Sequence, residues 1–156
     1  MTTVPQARRA IKSSLKRILD PKPTDAEIDR LWGYFNSACA YCGIKIDRKS
    51  RTGHNDHLVA ESEGGVNGLS NLILSCNICN GDEKLASDWS EFLEQKCGGK
   101  TQLFDERRQK ILNWIELSGG RTRITPQDQA LVDEAFNQIN AVLTARVEEL
   151  RSHRDA

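Results

Sequence analysis

Residues 39–84 read CAYCGIKIDRKSRTGHNDHLVAESEGGVNGLSNLILSCNICNGDEK, and the rest of the chain is organised around them. Two C-x-x-C pairs, Cys39/Cys42 and Cys76/Cys79, enclose an Asp56-His57 pair, a Gly64-Gly65 turn and Asn71. Asn80 follows the last cysteine, and Lys84 stands one helical turn further on. Four thiolates carried on two such turns are the ligand set of a closed tetrahedral zinc site. The pairs are about twice as far apart as in a simple zinc ribbon, so the metal closes a loop large enough to hold a site of its own.

Composition bounds what surrounds this stretch. The chain has 156 residues, 28% charged and 38% hydrophobic, which suits a globular domain with helical extensions. Its 22 basic and 22 acidic residues cancel, so any contact with nucleic acid must rest on local basic patches. No apolar run is long enough to span a bilayer and the N-terminus lacks a signal peptide's apolar region. We therefore expect no membrane partner and a cytoplasmic location, where cysteines are reduced and free to bind metal. The fifth cysteine, Cys97, reads as a plain free thiol.

Three regions follow: an N-terminal helical extension over 1–37, the zinc-bound core over 38–97, and a C-terminal helical region over 98–156. Residues 5–19 predict a helix with Ile11, Leu15, Ile18 and Leu19 on one face. Arg8, Arg9, Lys12, Lys16 and Arg17 cover much of the remainder, either as a solvated basic face or as a contact for backbone phosphates. Thr24 to Glu27 forms a capping box for a second helix to about Ser37, with Ile28, Leu31, Trp32 and Phe35 facing inward.

Beyond Cys42, Ile44 and Ile46 alternate like a short strand. A second strand is expected over Asn55–Val59, a third over Leu72–Leu74, and a helix from Cys79 or Asn80. Residues 86–96 and 101–117 predict helices, separated by Gly98-Gly99. Thr125-Pro126 opens a last helix to about Ser152. Its apolar residues fall near heptad spacing, which fits packing on its own domain or, alternatively, a dimer seam or docking helix. Trp32, Trp89 and Trp114 fall at core positions.

A bare zinc finger has no need of Asp56, His57 or Asn80. Cleaving a nucleic-acid strand does need a base to activate water and a divalent ion to stabilise the phosphorane. Imidazole titrates near neutrality, which suits His57 to take the proton, and Asp56 is a hard oxygen ligand fit for Mg2+ or Mn2+. Neighbours on a regular strand point to opposite faces, so both reach one phosphate only if the strand twists or ends there. His54, on the same face as Asp56, is either a solvated loop residue or a further metal or phosphate contact.

The stretch resembles the HNH endonucleases of the ββα-metal superfamily, in their zinc-stapled four-cysteine form. The resemblance covers about a third of the chain and runs C-x-x-C, Asp-His, Gly-Gly, Asn-Leu, C-x-x-C-Asn and a nearby lysine. It implies an α+β fold, a small zinc-stapled ββα core with flanking helices, mostly helical overall. It implies His57 as general base, Asn71 as brace of the loop holding the base, and Asp56 with Asn80 as ligands of a catalytic divalent ion. Cys39, Cys42, Cys76 and Cys79 would hold structural zinc, and Lys84 would contact a phosphate. The products would carry 5′-phosphate and 3′-hydroxyl ends. Relatives often have a proline after the base and a basic residue before Gly-Gly, whereas this loop reads Ala60-Glu61-Ser62-Glu63. Either other elements supply affinity for DNA, or Glu61 or Glu63 touches the metal.

The expected function is thus metal-dependent hydrolysis of DNA phosphodiester bonds. Two alternatives stand beside it: a nuclease effector of a phage-defence or restriction system activated by a partner, and a non-catalytic zinc module that binds nucleic acid. A homodimer or an activating protein would engage the C-terminal helices.

Overall fold

The computed structural model describes residues 3–85 and 87–155. It divides into two compact units, Lys22–Ile124 and a pair of terminal segments, Met1–Pro21 with Thr125–Ala156.

The unit Lys22–Ile124 opens with helix α1, Asp25–Tyr34. Thr24 and Glu27 cap it reciprocally, the Thr24 hydroxyl accepting from the Glu27 N–H and the Glu27 carboxylate accepting from the Thr24 N–H. The helix buries Leu31 and Trp32 and delivers the chain into the first cysteine turn. The expected strand at Ile44–Ile46 is reduced to a single bridge between Ala38 and Lys45, with Ile46 buried and Ile44 exposed. The tight turn between the cysteines leaves too little length for a ladder.

Strands β1, Gly53–His57, and β2, Leu72–Cys76, form an antiparallel pair in which Asp56 faces Ile73 and His57 faces Leu72. β1 starts and ends two residues earlier than its apolar pattern predicts. Beyond His57, the Val59 N–H is taken by the Asn71 side chain, and this draws the chain out of the ladder. Every residue of β2 is buried. A π-helical stretch, Ile78–Glu83, follows, with the i to i+5 bond from Lys84 N–H to Cys79 O at its end. Two strands and this helix make the small core that the sequence implies.

Helix α2, Trp89–Cys97, is capped by the Asp88 carboxylate, which accepts from the N–H groups of Ser90 and Glu91. The start expected at Ala86 lies outside the described residues. Helix α3, Thr101–Leu117, lays Ile111 and Trp114 on the core, and the Trp114 indole N–H donates to the carbonyls of Leu69 (3.0 Å) and Leu72 (2.7 Å). Phe35, Tyr41, Ile73, Leu74, Phe92 and Leu93 fill the space between these helices and the strands. Cys97 is a free thiol, as expected, and is buried in that core.

The second unit pairs helix α4 (Val4–Leu19, first in the chain) with helix α5, Pro126–Arg154. Arg8 donates to the Thr144 hydroxyl and Lys12 pairs with Asp133 at 2.8 Å, so two of the basic residues are engaged within the pair. No side chain of the Val4–Leu19 helix is fully buried, and Ile139, Val142 and Leu150 on the long helix are exposed.

Candidate metal centre and active site

The first cysteine turn is built from local bonds. Cys39 N–H donates to Ile44 O, Gly43 N–H donates back to Cys39 O, and Gly43 takes the left-handed conformation (φ +79°) that this reversal requires. The second pair lies at the end of β2 and inside the π-helical stretch. All four sulfurs lie within 4.8 Å of one another, and Cys42 Sγ is 3.8 Å from Cys76 Sγ. Zinc–sulfur bonds of about 2.3 Å in a tetrahedron place sulfurs roughly 3.8 Å apart, so the donor set and its spacing fit zinc.

The thiols' own chemistry points the same way. Burial and the adjoining cysteines push the Cys42 thiol up to about 11 and Cys79 higher still. Burial also raises Cys39, but the N–H groups of Cys42, Cys76 and Tyr41 outweigh it and leave that thiol lowered. Four sulfurs this close do not all ionise without a cation among them, and a bound dication is what makes all of them thiolates. Arg107, from α3, adds a brace: its guanidinium donates to the carbonyls of Tyr41 (2.5 Å) and Cys42 (3.1 Å).

β1 places the two residues of the Asp-His pair differently. Asp56 is buried at 7% exposure, while His57 is half-buried at the strand's last position, where the ladder stops. Tyr41, which lies between the cysteines of the first turn, donates its hydroxyl to Asp56 Oδ2 at 3.1 Å. Lys84 Nζ lies 3.4 Å from Asp56 Oδ1 and 3.3 Å from Oδ2, and donates to His57 O at 2.7 Å. Burial pushes the Asp56 carboxyl up, and Lys84 and Tyr41 offset only part of that. The lysine expected at a phosphate is therefore turned inward onto the expected metal ligand. Asn80 is half-buried on the π-helical stretch, one turn before Lys84. His54 is half-buried two residues before Asp56.

Asn71 is fully buried, and all of its amide is used. Oδ1 accepts from Val59 N–H at 2.9 Å, and Nδ2 donates to Val59 O at 2.9 Å and Val66 O at 2.8 Å. The side chain thus ties together both ends of the loop that follows His57. Gly65 lies so close to this tie that an added Cβ would stand 1.9 Å from Val59 O. Within the loop, His57 Nε2 meets Asn67 Oδ1 at 3.3 Å, and Asn67 Nδ2 donates to Glu61 Oε1 at 3.1 Å.

Sequence reasoning missed Tyr41, Asn67 and Arg107. The first two lie within the motif stretch, but nothing in their spacing distinguishes them from packing and loop residues. Arg107 lies on an ordinary amphipathic helix.

A closed four-cysteine cluster stapling two strands and a helix, with an Asp-His pair at the strand's end, defines a metal-stapled ββα module. The HNH endonuclease family model matches residues 39–84, so this segment is similar to that family. The chain is also 31% identical over 101 residues to "SPbeta prophage-derived putative HNH endonuclease YoqL" of Bacillus subtilis (strain 168). That match takes in 59% of this chain and 41% of the relative, so the chain spans about two fifths of that protein's length. Among the described residues, no helix is long and apolar enough to cross a membrane.

Proposed function

We propose that the protein is a metal-dependent endonuclease that hydrolyses DNA phosphodiester bonds, with His57 as general base. The observation that carries this reading is the end of β1. There the family-matched segment presents a half-exposed imidazole beside a buried carboxylate, on a loop braced by Asn71.

In the proposed reaction His57 takes a proton from water, the water oxygen attacks phosphorus, and the P–O3′ bond breaks with the 3′ oxygen taking a proton from solvent, giving 5′-phosphate and 3′-hydroxyl ends. Asp56 and Asn80, a carboxylate and an amide, would hold Mg2+ or Mn2+, which suit hard oxygen donors. When bound, such an ion supplies charge stabilisation to the phosphorane and the departing oxygen. It would replace the Lys84 ammonium as the counter-charge of Asp56. Lys84 would thereby be freed towards a phosphate. Cys39, Cys42, Cys76 and Cys79 would keep structural zinc and hold β2 to the first turn.

One observation favours a conditional form of this activity. Lys84 closes both oxygens of Asp56, and the exposed Ile139, Val142 and Leu150 of α5 offer a surface for a second copy or an activating protein. A phage-defence or restriction effector would be switched in this way. Cutting that appears only when a partner co-purifies supports that form; full activity of the isolated chain removes it.

The deciding experiment is plasmid cleavage across a series of divalent ions, with wild type beside His57→Ala at matched zinc content. The wild type is expected to nick or linearise DNA, and the variant to lose about 10²- to 10⁴-fold in rate. If zinc-loaded, folded wild type leaves DNA and RNA uncut under all ions and with co-purified proteins, the module is a non-catalytic zinc binder.

A further inference from the structure

The loop after His57 reads Ala60-Glu61-Ser62-Glu63, and the first of its two acids has a definite partner. Glu61 Oε1 accepts from Asn67 Nδ2 at 3.1 Å, and Asn67 Oδ1 lies 3.3 Å from His57 Nε2. An ionised carboxylate only accepts hydrogen bonds, so the group facing Glu61 must be the Asn67 NH2. That fixes the amide's orientation and turns its oxygen, a pure acceptor, towards the imidazole. A neutral ring meeting an acceptor at Nε2 must carry its proton there, and its lone pair is then on Nδ1.

We infer that Asn67, anchored by Glu61, is a positioning residue that holds the proton of His57 on Nε2 and presents Nδ1 as the basic nitrogen. This deepens the nuclease reading and rests on it for its catalytic consequence; the tautomer itself stands on the geometry. It also gives the acidic loop a role. Glu61 is turned sideways onto an amide, so its charge orients the base rather than facing a phosphate. Tyr41 and Lys84 meet the Asp56 carboxylate, whereas Asn67 meets the His57 ring, so the two side chains of the Asp-His pair have different partners.

The test begins with the nitrogen-15 spectrum of zinc-loaded protein at mildly alkaline pH, where imidazole is neutral. The chain has three histidines, so assignment is direct. Wild-type His57 is expected as a single tautomer, with Nε2 protonated and Nδ1 bare. A bare Nε2 overturns the proposal without any variant. Asn67→Leu removes the acceptor and is expected to give a tautomer mixture and a loss of about 10- to 100-fold in kcat with KM unchanged, the usual scale for a supporting residue. The double variant Glu61→Gln, Asn67→Asp reverses the polarity of the outer bond while keeping an acceptor at the ring. It is expected to restore the single tautomer and most of the rate. Zinc content and melting temperature check that each variant is folded.

If Asn67→Leu keeps the wild-type ring spectrum and rate, the relay is wrong. The ring signal needs no substrate. A wild type that cuts nothing therefore removes the nuclease reading and leaves the relay to the spectrum, whereas a cutting wild type with an equally active Asn67→Leu removes the relay alone.

Discussion

The Lys84 ammonium lies 3.3 Å from Oδ2 of Asp56, with the two side chains only 5% and 9% exposed. Taking one member from a buried pair strands the other charge, at a cost of about 3–5 kcal/mol. Lys84→Met should therefore lower stability by about that much in urea denaturation. Asp56→Asn combined with Lys84→Met should recover part of the loss, since no buried charge then lacks its partner. If Asp56 takes a divalent ion in place of the lysine, added Mn2+ will raise the melting temperature of Lys84→Met more than that of wild type. Equal shifts would place the ion elsewhere.

The four-cysteine cluster makes a sharper prediction about metal removal. Structural zinc contributes roughly 10–16 kcal/mol in isolated finger peptides, as much as a domain's entire margin of about 5–15 kcal/mol. Cys79→Ser is therefore expected to lose zinc and with it the cooperative melting of the unit Lys22–Ile124. Cys97→Ser is the matched control. Cys97 is buried in the core but outside the cluster, so this variant should keep a full complement of zinc and lose only about 1–3 kcal/mol for a buried hydroxyl. Metal analysis beside thermal melting separates the two outcomes.

Asn71 and Gly65 hold the loop after His57, and three changes there should rank in a definite order. Asn71→Ala leaves the Val59 N–H and the carbonyls of Val59 and Val66 without their partner, each costing about 1–3 kcal/mol where buried. Asn71→Asp keeps the acceptor but aims a carboxylate oxygen at two carbonyls, so it should be worse than alanine. Gly65→Ala places a methyl group against Val59 O, a clash that only a loop shift relieves, at about 1–3 kcal/mol. Urea denaturation gives the ranking. An aspartate variant more stable than the alanine would show that the amide does not donate as described.

Much of the fold was legible because it is written locally. Paired cysteines, a Thr-x-x-Glu capping box and an apolar run before Cys76 each declare their element within a few residues. The end of β1 was misplaced because Val59 looks like a strand residue, and only the Asn71 side chain, twelve positions on, removes it from the ladder. The candidate site was legible to the same extent. Asp56, His57, Asn71 and the cysteines stand out by order and spacing, whereas the inward turn of Lys84 depends on which face of a π-helical stretch points at β1. Tyr41 and Asn67 escaped because an aromatic residue and a loop amide are ordinary neighbours in sequence, and their partners are set by tertiary packing.

Arg107 escaped most completely, since it reaches the first cysteine turn from 65 positions away. Its planar fork donates to the carbonyls of Tyr41 and Cys42 together, and Gly43 beside them leaves the room, as an added Cβ would stand 2.6 Å from Nη2. A lysine has no such fork and cannot hold both carbonyls in one geometry. Arg107→Lys and Arg107→Leu should therefore behave alike, each destabilising the unit by about 1–3 kcal/mol. Each should also speed zinc loss to a colorimetric chelator by about 10-fold, the lower end of the effect of supporting residues on metal sites. Gly43→Ala should reproduce the faster release by pushing the fork away. Arg108→Leu, one position further and exposed, should leave the release rate unchanged. If Arg107→Leu releases zinc no faster than Arg108→Leu, the two carbonyl contacts hold α3 to the core without holding the metal.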